Sequence, residues 1–202
     1  KTPQIFLLQY FNWIMSNLMN DDILVSVLVG YLCGSVPFGL ILIKMAGGED
    51  IRTIGSGNIG ATNVLRTGRK SLAAITLILD AAKGALSIFI GSLFLSDAYS
   101  GLVGVSAVIG HCYPIWLKFS GGKGVATGLA VITMLSPISG MLFIAIWISI
   151  AYLMKYSSLA AITAFVSSSI LALISESIDI SIAIISITLL ALFRHKENIK
   201  RL

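Results

Sequence analysis

The sequence has few charged residues, which make up only 11% of its 202 positions. A soluble domain averages about 25%, whereas hydrophobic residues here reach 56% and the mean hydropathy is +0.94. This composition excludes an ordinary soluble domain and is typical of a polytopic membrane protein. Because a spanning helix needs roughly 20 mostly apolar residues, a chain of this length holds at most seven or eight spans and leaves no room for a separate soluble domain.

Cysteine and histidine are also scarce, with two of each. Cys33 and Cys112 both lie in apolar runs, where a small core residue is expected more often than a disulfide. No Cys/His cluster has the spacing of a zinc site, so we expect neither a metal nor a cofactor. The net charge of +5 is interpreted as topology signals and anion ligands, and no nucleic-acid partner is expected.

Seven apolar runs predict an all-α integral membrane protein of about seven transmembrane helices. The runs cover residues 23–43, 71–95, 99–117, 124–137, 140–154, 158–175 and 178–193. Residues 23–202 are expected to form a single membrane domain. Residues 1–22 form an N-terminal extension whose apolar stretch is interrupted by Gln9, Asn12 and Asn17, which favours an interfacial helix.

The connectors between the runs alternate in charge. Those after the first, third and fifth runs, and the C-terminal tail, carry lysine or arginine. The alternate segments contain no lysine or arginine, and their charged residues are Asp21, Asp22, Asp97, Glu176 and Asp179. Since basic connectors stay on the cytoplasmic side of a membrane, seven spans place the start of the chain outside and the tail in the cytoplasm.

The first polar motif is GSGNIGATNVLR, residues 55–66. Gly55, Gly57 and Gly60 match the G-x-G-x-x-G dinucleotide fingerprint, which requires a strand before it and a helix after it. Here the motif lies between two predicted membrane spans, and Asp80, at the spacing of the ribose-binding acid, falls inside the second span. A Rossmann domain is therefore rejected.

The second motif is SGGKGVAT, residues 120–127, and it is not a P-loop because Lys123 is followed by Gly124 instead of serine or threonine. The third is RHKENIKRL, residues 194–202, in which His195, Asn198 and Arg201 would share one helix face. All three motifs lie on the predicted cytoplasmic side. Glycine-rich loops and helix N-termini bind anions, so the sequence predicts a phosphorylated, partly lipidic ligand at the membrane boundary.

Simpler interpretations stand beside these. The glycine-rich connectors could be turns between spans, and Lys196 and Lys200 are interpreted as topology signals. His111 is slightly favoured as a core histidine, and Asp80 and Lys83 as a structural ion pair before a substrate pathway. A second function class is a small transporter for phosphorylated metabolites, which net uptake of glycerol phosphate without an acyl donor would reveal.

Taken together, the motifs resemble one family, the bacterial acyl-phosphate-dependent glycerol-3-phosphate acyltransferases of the PlsY type. The resemblance spans about residues 24–202. It is carried by residues 55–66, 110–127 and 194–202, with further similarity in GSVPFG (34–39), LDAAKG (79–84) and KYSSLAAIT (155–163).

The resemblance implies a specific enzyme of the bacterial inner membrane. Such an enzyme transfers a fatty acyl group from acyl phosphate to the 1-hydroxyl of sn-glycerol 3-phosphate. The products are 1-acylglycerol 3-phosphate (lysophosphatidate) and inorganic phosphate, in the first acylation step of phospholipid synthesis. We expect a monomer surrounded by membrane lipid, with its active site facing the cytoplasm.

The resemblance also implies site residues. For acyl phosphate these are Ser56, Gly57, Asn58, Gly121, Gly122, Lys123, Ser158, His195 and Asn198. For glycerol 3-phosphate they are Thr62, Asn63, Arg66 and Arg201. Ser56, Lys123, His195 and Asn198 are expected to be catalytic.

One negative observation bears on the donor. Glycerolipid acyltransferases with soluble heads use H-x-x-x-x-D, in which an aspartate orients a histidine base. The residue five positions after His111 is Trp116, and five after His195 is Lys200. Neither is acidic, which argues against an acyl-CoA enzyme of that type.

Overall fold

The computed structural model describes residues 21–201, and this part of the chain is helical throughout, with short connecting loops. The α-helices are α1 (Asp21–Gly34), α2 (Phe38–Met45), α3 (Ala61–Arg66), α4 (Lys70–Ser92), α5 (Ser100–Cys112), α6 (Val125–Leu135), α7 (Pro137–Met154), α8 (Ser157–Ser175), α9 (Ile178–Arg194) and α10 (Lys196–Ile199). Short 3-10 turns occupy Ile51–Thr53, Asp97–Tyr99 and Ile115–Leu117.

Each predicted apolar run coincides with helix, but the helices differ in length. Within residues 21–201, five segments are long and apolar enough to cross a membrane: Asp21–Met45, Lys70–Ser92, Asp97–Leu117, Pro137–Met154 and Ser157–Ser175. By contrast, α6 has 11 residues, fewer than a full span needs, and α9 has 17, at the short end of the usual range. The prediction of an all-helical membrane protein with several spans is confirmed for the described residues, and five segments meet both the length and the hydropathy of a span. Residues 1–20 of the predicted N-terminal extension lie outside the described residues.

The first span is broken between α1 and α2. Pro37 has no N–H group and precedes α2, and the break leaves backbone carbonyls without helical partners. Two side chains from other elements satisfy them: Trp116 Nε1 donates to Ser35 O at 2.7 Å, and Lys83 Nζ donates to Val36 O at 2.7 Å. In an apolar environment such pairing is what allows irregular backbone to persist.

Helices α1 and α5 pack at very short range because glycines form the contact. A Cβ on Gly30 would lie 2.2 Å from Val103 O, and one on Gly34 would lie 1.9 Å from Ala107 O. Gly30 and Gly34 are four residues apart, the spacing with which small residues bring membrane helices together. Any larger side chain would separate the two helices.

The remaining helices form a bundle around an apolar core. Helix α4 packs on α6, α7 on α8, and α9 on α5 and α8. Within the core, the rings of Phe143 and Phe165 meet edge to face with centroids 4.8 Å apart. This bundle brings the loop before α3, the loop before α6 and the C-terminal segment to one end of the molecule.

Candidate active site

Asn63 organises the first glycine-rich loop. It is 1% exposed, and its amide nitrogen donates to Ile51 O and Ile54 O at 2.9 Å each. Its amide oxygen accepts from Ser56 N at 3.0 Å and from the Ser56 hydroxyl at 3.2 Å. An asparagine amide has two donor and two acceptor positions, and all four are used. Asn63 therefore shapes the loop and positions Ser56, and its expected role as a ligand of glycerol 3-phosphate stays a prediction.

Two neighbours of Ser56 have different surroundings. Gly57 adopts φ +68° and donates its N–H to Ile54 O at 3.0 Å, so it closes a turn and does not line the cavity described below. Asn58 does line it, and its side-chain oxygen accepts from Gly60 N at 2.9 Å. Gly57 is therefore a turn residue, and its expected role in binding acyl phosphate stays a prediction.

The second glycine-rich loop directs its first two N–H groups inward. Gly121 N donates to Cys112 O at 3.1 Å and Gly122 N donates to His111 O at 3.0 Å. Both glycines are buried and neither lines the cavity. Each of these N–H groups therefore already has a backbone acceptor, and the expected role of the two glycines in binding acyl phosphate stays a prediction. The cavity is lined instead by the residue that follows, Lys123, and by the start of α6.

Lys123 is half-buried and donates a hydrogen bond to the side-chain oxygen of Asn198. Burial and, to a smaller extent, the positive charges of Arg201, Arg66 and Arg194 together lower the pKa of Lys123 from 10.5 to about 8. The ammonium group is therefore protonated at neutral pH but sits among like charges. Such a concentration of positive charge in a partly desolvated site attracts an anion strongly.

His195 lies between α9 and α10 and is 2% exposed. Its Nδ1 is 2.7 Å from Ala191 O, and since a carbonyl can only accept, Nδ1 carries the proton. Burial lowers the pKa of His195 below 6.5, the bond to Ala191 O opposes this, and the charges of Lys123 and Arg194 add to the lowering. His195 is therefore neutral at pH 7, and its Nε2 carries a lone pair.

These side chains line one cavity of about 830 Å³. Ten of the thirteen predicted site residues line it: Ser56, Asn58, Thr62, Asn63, Arg66, Lys123, Ser158, His195, Asn198 and Arg201. The three that do not are Gly57, Gly121 and Gly122. The wall continues with apolar side chains from α4, α6 and α7: Leu77, Leu129, Phe143, Ile144, Trp147 and Ile148. One cavity thus joins a cationic region to an apolar one.

A buried cluster of polar side chains lies beside the cavity. Lys83 Nζ lies 2.7 Å from Asp80 Oδ1, with both side chains less than 5% exposed, and Thr127 donates to Asp80 O at 2.8 Å. His111 is 4% exposed, with its Nδ1 3.3 Å from the Thr127 hydroxyl oxygen. The predicted Asp80–Lys83 ion pair and the buried His111 are both present, and Asp80 and His111 also line the cavity. Among residues 21–201, no three His, Cys, Asp or Glu side chains group so as to hold a metal ion.

Two kinds of site residue could not be found from the sequence. Arg194 contacts the second loop directly, as described below. In the sequence it cannot be distinguished from the other basic residues that follow a predicted span. The apolar lining, such as Phe143 and Trp147, has no distinguishing signal in a chain that is 56% hydrophobic. Lys155, which also lines the cavity, was interpreted only as a topology signal.

Comparisons with known proteins agree with this geometry. The family model described as glycerol-3-phosphate acyltransferase matches residues 24–202. A glycerol-3-phosphate acyltransferase of Gluconobacter oxydans is 49% identical over 195 residues, covering 93% of this chain and 92% of that protein. Glycerol-3-phosphate acyltransferase 1 of Rhizobium johnstonii is 44% identical over 193 residues, covering 93% and 94%.

The fold is similar to solved structures as well. Crystal structures of PlsY, an integral membrane glycerol 3-phosphate acyltransferase, superpose with TM-scores of 0.83 for its glycerol 3-phosphate form and 0.81 for its lysophosphatidic acid form. In both, sequence identity is 36%, and the match covers 89% of this chain and 90% of that one.

Proposed function

This chain belongs to the glycerol-3-phosphate acyltransferase family, and we propose that it transfers a fatty acyl group from an acyl phosphate to the 1-hydroxyl of sn-glycerol 3-phosphate. The products are 1-acylglycerol 3-phosphate and inorganic phosphate, and the reaction is the first acylation of phospholipid synthesis. The names of the relatives and of the solved structures include glycerol 3-phosphate, which supports this molecule as the acceptor. The acyl phosphate donor is assigned from the shape and charge of the cavity.

The observation that carries the proposal is the continuity of the cavity. Its polar end gathers Lys123, Arg66 and Arg201, and its other walls are apolar side chains such as Phe143 and Trp147. An acyl phosphate has the matching shape, because it joins a phosphate to a hydrocarbon chain at one carbonyl. A chain lying along α7 would bring that carbonyl to the cationic end, where a second anion could also bind.

We assign the two phosphates to different parts of the polar end. The acyl phosphate lies near Lys123 and Asn198, at the N-terminus of α6, whose partial positive charge favours an anion. Ser56 and Ser158 complete this side. The phosphate of the acceptor lies near Thr62, Arg66 and Arg201.

The chemistry needs positioning more than activation. An acyl phosphate is a mixed anhydride with a good leaving group, and holding two reactants in place supplies about 7–11 kcal/mol of the barrier. The 1-hydroxyl oxygen attacks the carbonyl carbon, a tetrahedral oxyanion forms, and its collapse breaks the bond to the phosphate oxygen. Cations offset the repulsion between the two phosphates and stabilise the oxyanion.

The attacking hydroxyl must also lose a proton. Neutral His195 presents the Nε2 lone pair, which can accept a hydrogen bond from the hydroxyl and polarise it. We propose that a phosphate oxygen of the bound substrate takes the proton. His195 then binds and orients the acceptor without being ionised during the reaction.

Replacing His195 with glutamine is expected to lower kcat by about 10²-fold. The glutamine amide lies one bond further from the backbone than Nδ1, so it cannot keep the 2.7 Å bond to Ala191 O while its oxygen accepts from the hydroxyl, and an amide oxygen is far less basic than Nε2. Rates of lysophosphatidate formation at saturating substrate measure the effect. Lys196→Gln, at the exposed next position, is the matched control, and near-normal activity of His195→Gln would remove any essential role for this ring.

We further propose that seven helical segments cross the bacterial inner membrane, with the tail and the active site in the cytoplasm and residues 23–202 acting as one monomeric domain. The alternating connectors support this arrangement. Those after the first, third and fifth segments, and the tail, line the one cavity. At another connector, the Ser136 hydroxyl donates to Glu176 Oε1 at 2.6 Å, which joins the fourth and sixth connectors to each other.

Cysteine labelling tests this topology. In a Cys33→Ser, Cys112→Ser background, an impermeant thiol reagent added to intact cells should label Asp97→Cys and leave Lys200→Cys unlabelled until the membrane is opened. Both native side chains are exposed, so reactivity reports the side of the membrane. Labelling of Lys200→Cys in intact cells would contradict a cytoplasmic tail.

The activity itself is tested with purified protein in lipid, supplied with palmitoyl phosphate and sn-glycerol 3-phosphate. We expect lysophosphatidate and inorganic phosphate in equal amounts, detected by mass spectrometry and a phosphate assay. Phosphate release without acylated product would show hydrolysis instead of transfer. Folded protein that forms neither product would contradict the proposal.

A further inference from the structure

Arg194, at the end of α9, bridges two consecutive backbone carbonyls of the second loop. Its Nε donates to Gly122 O at 3.0 Å and its Nη2 donates to Gly121 O at 2.8 Å. Its guanidinium carbon lies 5.0 Å from the centroid of the Tyr113 ring, within the range of a cation–π contact. The side chain is thereby fixed at three points.

The N–H groups of the same two glycines are bound by another helix. As described above, Gly121 N and Gly122 N donate to the carbonyls of Cys112 and His111 at the end of α5. Gly122 also lies directly against the His111 ring, since a Cβ there would be 1.9 Å from Nε2. The loop is therefore bound by α5 through its N–H groups and by Arg194 through its carbonyls.

We propose that Arg194 is a positioning residue that fixes the Gly121–Gly122 backbone and so holds Lys123 at the cavity. Arg194 does not itself line the cavity, and it acts through the loop. Lys123 follows Gly122 directly and reaches Asn198, four residues after Arg194. One arginine thus connects the second glycine-rich loop to the C-terminal segment that carries His195.

The planar shape of the guanidinium group suits Arg194 to holding this loop. Its nitrogens lie in one plane at fixed spacing, so two of them can donate to two neighbouring carbonyls at once. The lysine ammonium is a compact point charge on a flexible chain and lacks this planar fork. Arg194→Lys therefore keeps the positive charge and removes the bridge, whereas Arg194→Gln removes both.

The groups facing Lys123 determine what each variant should do to it. They are Arg66 from α3, Arg194 at the end of α9, and His195, Asn198 and Arg201 from the C-terminal segment. Loss of the bridge frees the loop and exposes Lys123 to water, which raises its pKa. If Arg194 acted by charge alone, lysine at this position would leave the pKa of Lys123 unchanged.

The test measures Lys123 directly. Purified wild type, Arg194→Lys and Arg194→Gln are treated without substrate with an amine-modifying reagent across a pH series, and mass spectrometry follows Lys123 with exposed Lys118 as internal reference. We expect the midpoint for Lys123 to rise in both variants and to stay constant in Arg69→Gln. Arg69 is the matched control because it donates to a single carbonyl, Ala46 O, at 2.8 Å. An unchanged midpoint in Arg194→Lys would overturn the proposal.

Catalysis provides a second readout, and this part rests on the proposed function. Because a shift of about 1 Å in a catalytic group can cost 10²-fold, kcat/KM should fall by about that factor in Arg194→Lys and stay constant in Arg69→Gln. The labelling needs no acyl transfer, so an inactive wild type would contradict the proposed function while the role of Arg194 is still decided by the midpoints. Wild-type kcat/KM in Arg194→Lys would count against the positioning role.

Discussion

Replacing Lys123 with methionine is expected to lower kcat/KM for acyl transfer by about 10³-fold, the upper range for removing one donor from an oxyanion site. Methionine approximates the length of the side chain but carries no charge. It would leave Asn198 without its donor and the acyl phosphate without its nearest cation. Initial rates over a range of both substrates measure the loss.

The pH profile gives this prediction a sharper form. Lys123 is protonated below its pKa of about 8 and neutral above it, so kcat/KM should decline as pH rises through that value. In Lys123→Arg the charge persists, because arginine stays protonated far above this range. The decline near pH 8 should then disappear, even if the altered shape lowers the overall rate.

Lys118 supplies the matched control for both experiments. It lies in the same loop, is exposed and does not line the cavity, so Lys118→Met should keep wild-type activity. A Lys123→Met variant that is as active as Lys118→Met would remove Lys123 from the mechanism. An alkaline decline that persists in Lys123→Arg would assign the titration to another group.

The second large effect is on stability. Asp80→Asn is expected to lower the free energy of unfolding by about 3–5 kcal/mol, the cost of leaving one partner of a buried ion pair uncompensated. Lys83 is 4% exposed inside a helix of the bundle, and asparagine keeps the shape of Asp80 while removing its charge. Thermal unfolding in detergent should show a much lower midpoint.

Two further variants separate charge pairing from packing. Adding Lys83→Met to Asp80→Asn removes the orphan charge and should restore most of the lost stability, since buried pairs can be replaced by apolar residues at little cost. Glu197→Gln breaks an exposed pair with the same spacing, Lys200 Nζ to Glu197 Oε1 at 3.3 Å, and should leave the midpoint unchanged. If Asp80→Asn unfolded at the wild-type temperature, the pair would not be holding α4 in place.

Much of the polar end of the site could be predicted because polar groups are rare in this chain. Lys123, His195 and Asn198 stand out against a hydrophobic background, and helical spacing places the last two on one face. The structure brings them to one cavity together with Arg66 and Arg201. In a membrane protein, a costly polar residue near a span is itself a strong signal.

The sequence could not predict in which direction the backbone N–H groups of the second glycine-rich loop point. A glycine-rich loop suggests N–H groups aimed at an anion, but the N–H groups of Gly121 and Gly122 point to α5. These bonds form because the end of α5 leaves the carbonyls of His111 and Cys112 without helical partners. The sequence near Gly121 and Gly122 does not show where that helix end lies. The bridging role of Arg194 depends in turn on those glycines, so neither is encoded in local sequence.

The residues that form the apolar end of the cavity could not be predicted from the sequence for a simpler reason. Any leucine, isoleucine or phenylalanine in a span is compatible with facing lipid, the core or a cavity, and the pattern of hydrophobic residues does not separate them. The predicted short run 124–137 corresponds to α6, Val125–Leu135, which ends just before Ser136 and Pro137 begin the next helix. Packing between helices therefore decides which apolar side chains face the cavity, whereas local sequence ends α6.

The most direct test of the central claim is a comparison of acyl donors on purified protein with sn-glycerol 3-phosphate. Palmitoyl phosphate, palmitoyl-CoA and palmitoyl carrier protein are supplied in parallel, and lysophosphatidate is measured by mass spectrometry. We predict product with palmitoyl phosphate alone, because the cationic end of the cavity, which adjoins its apolar wall, matches a phosphate attached directly to the acyl carbonyl. Product from the thioesters and none from palmitoyl phosphate would contradict this account of the site.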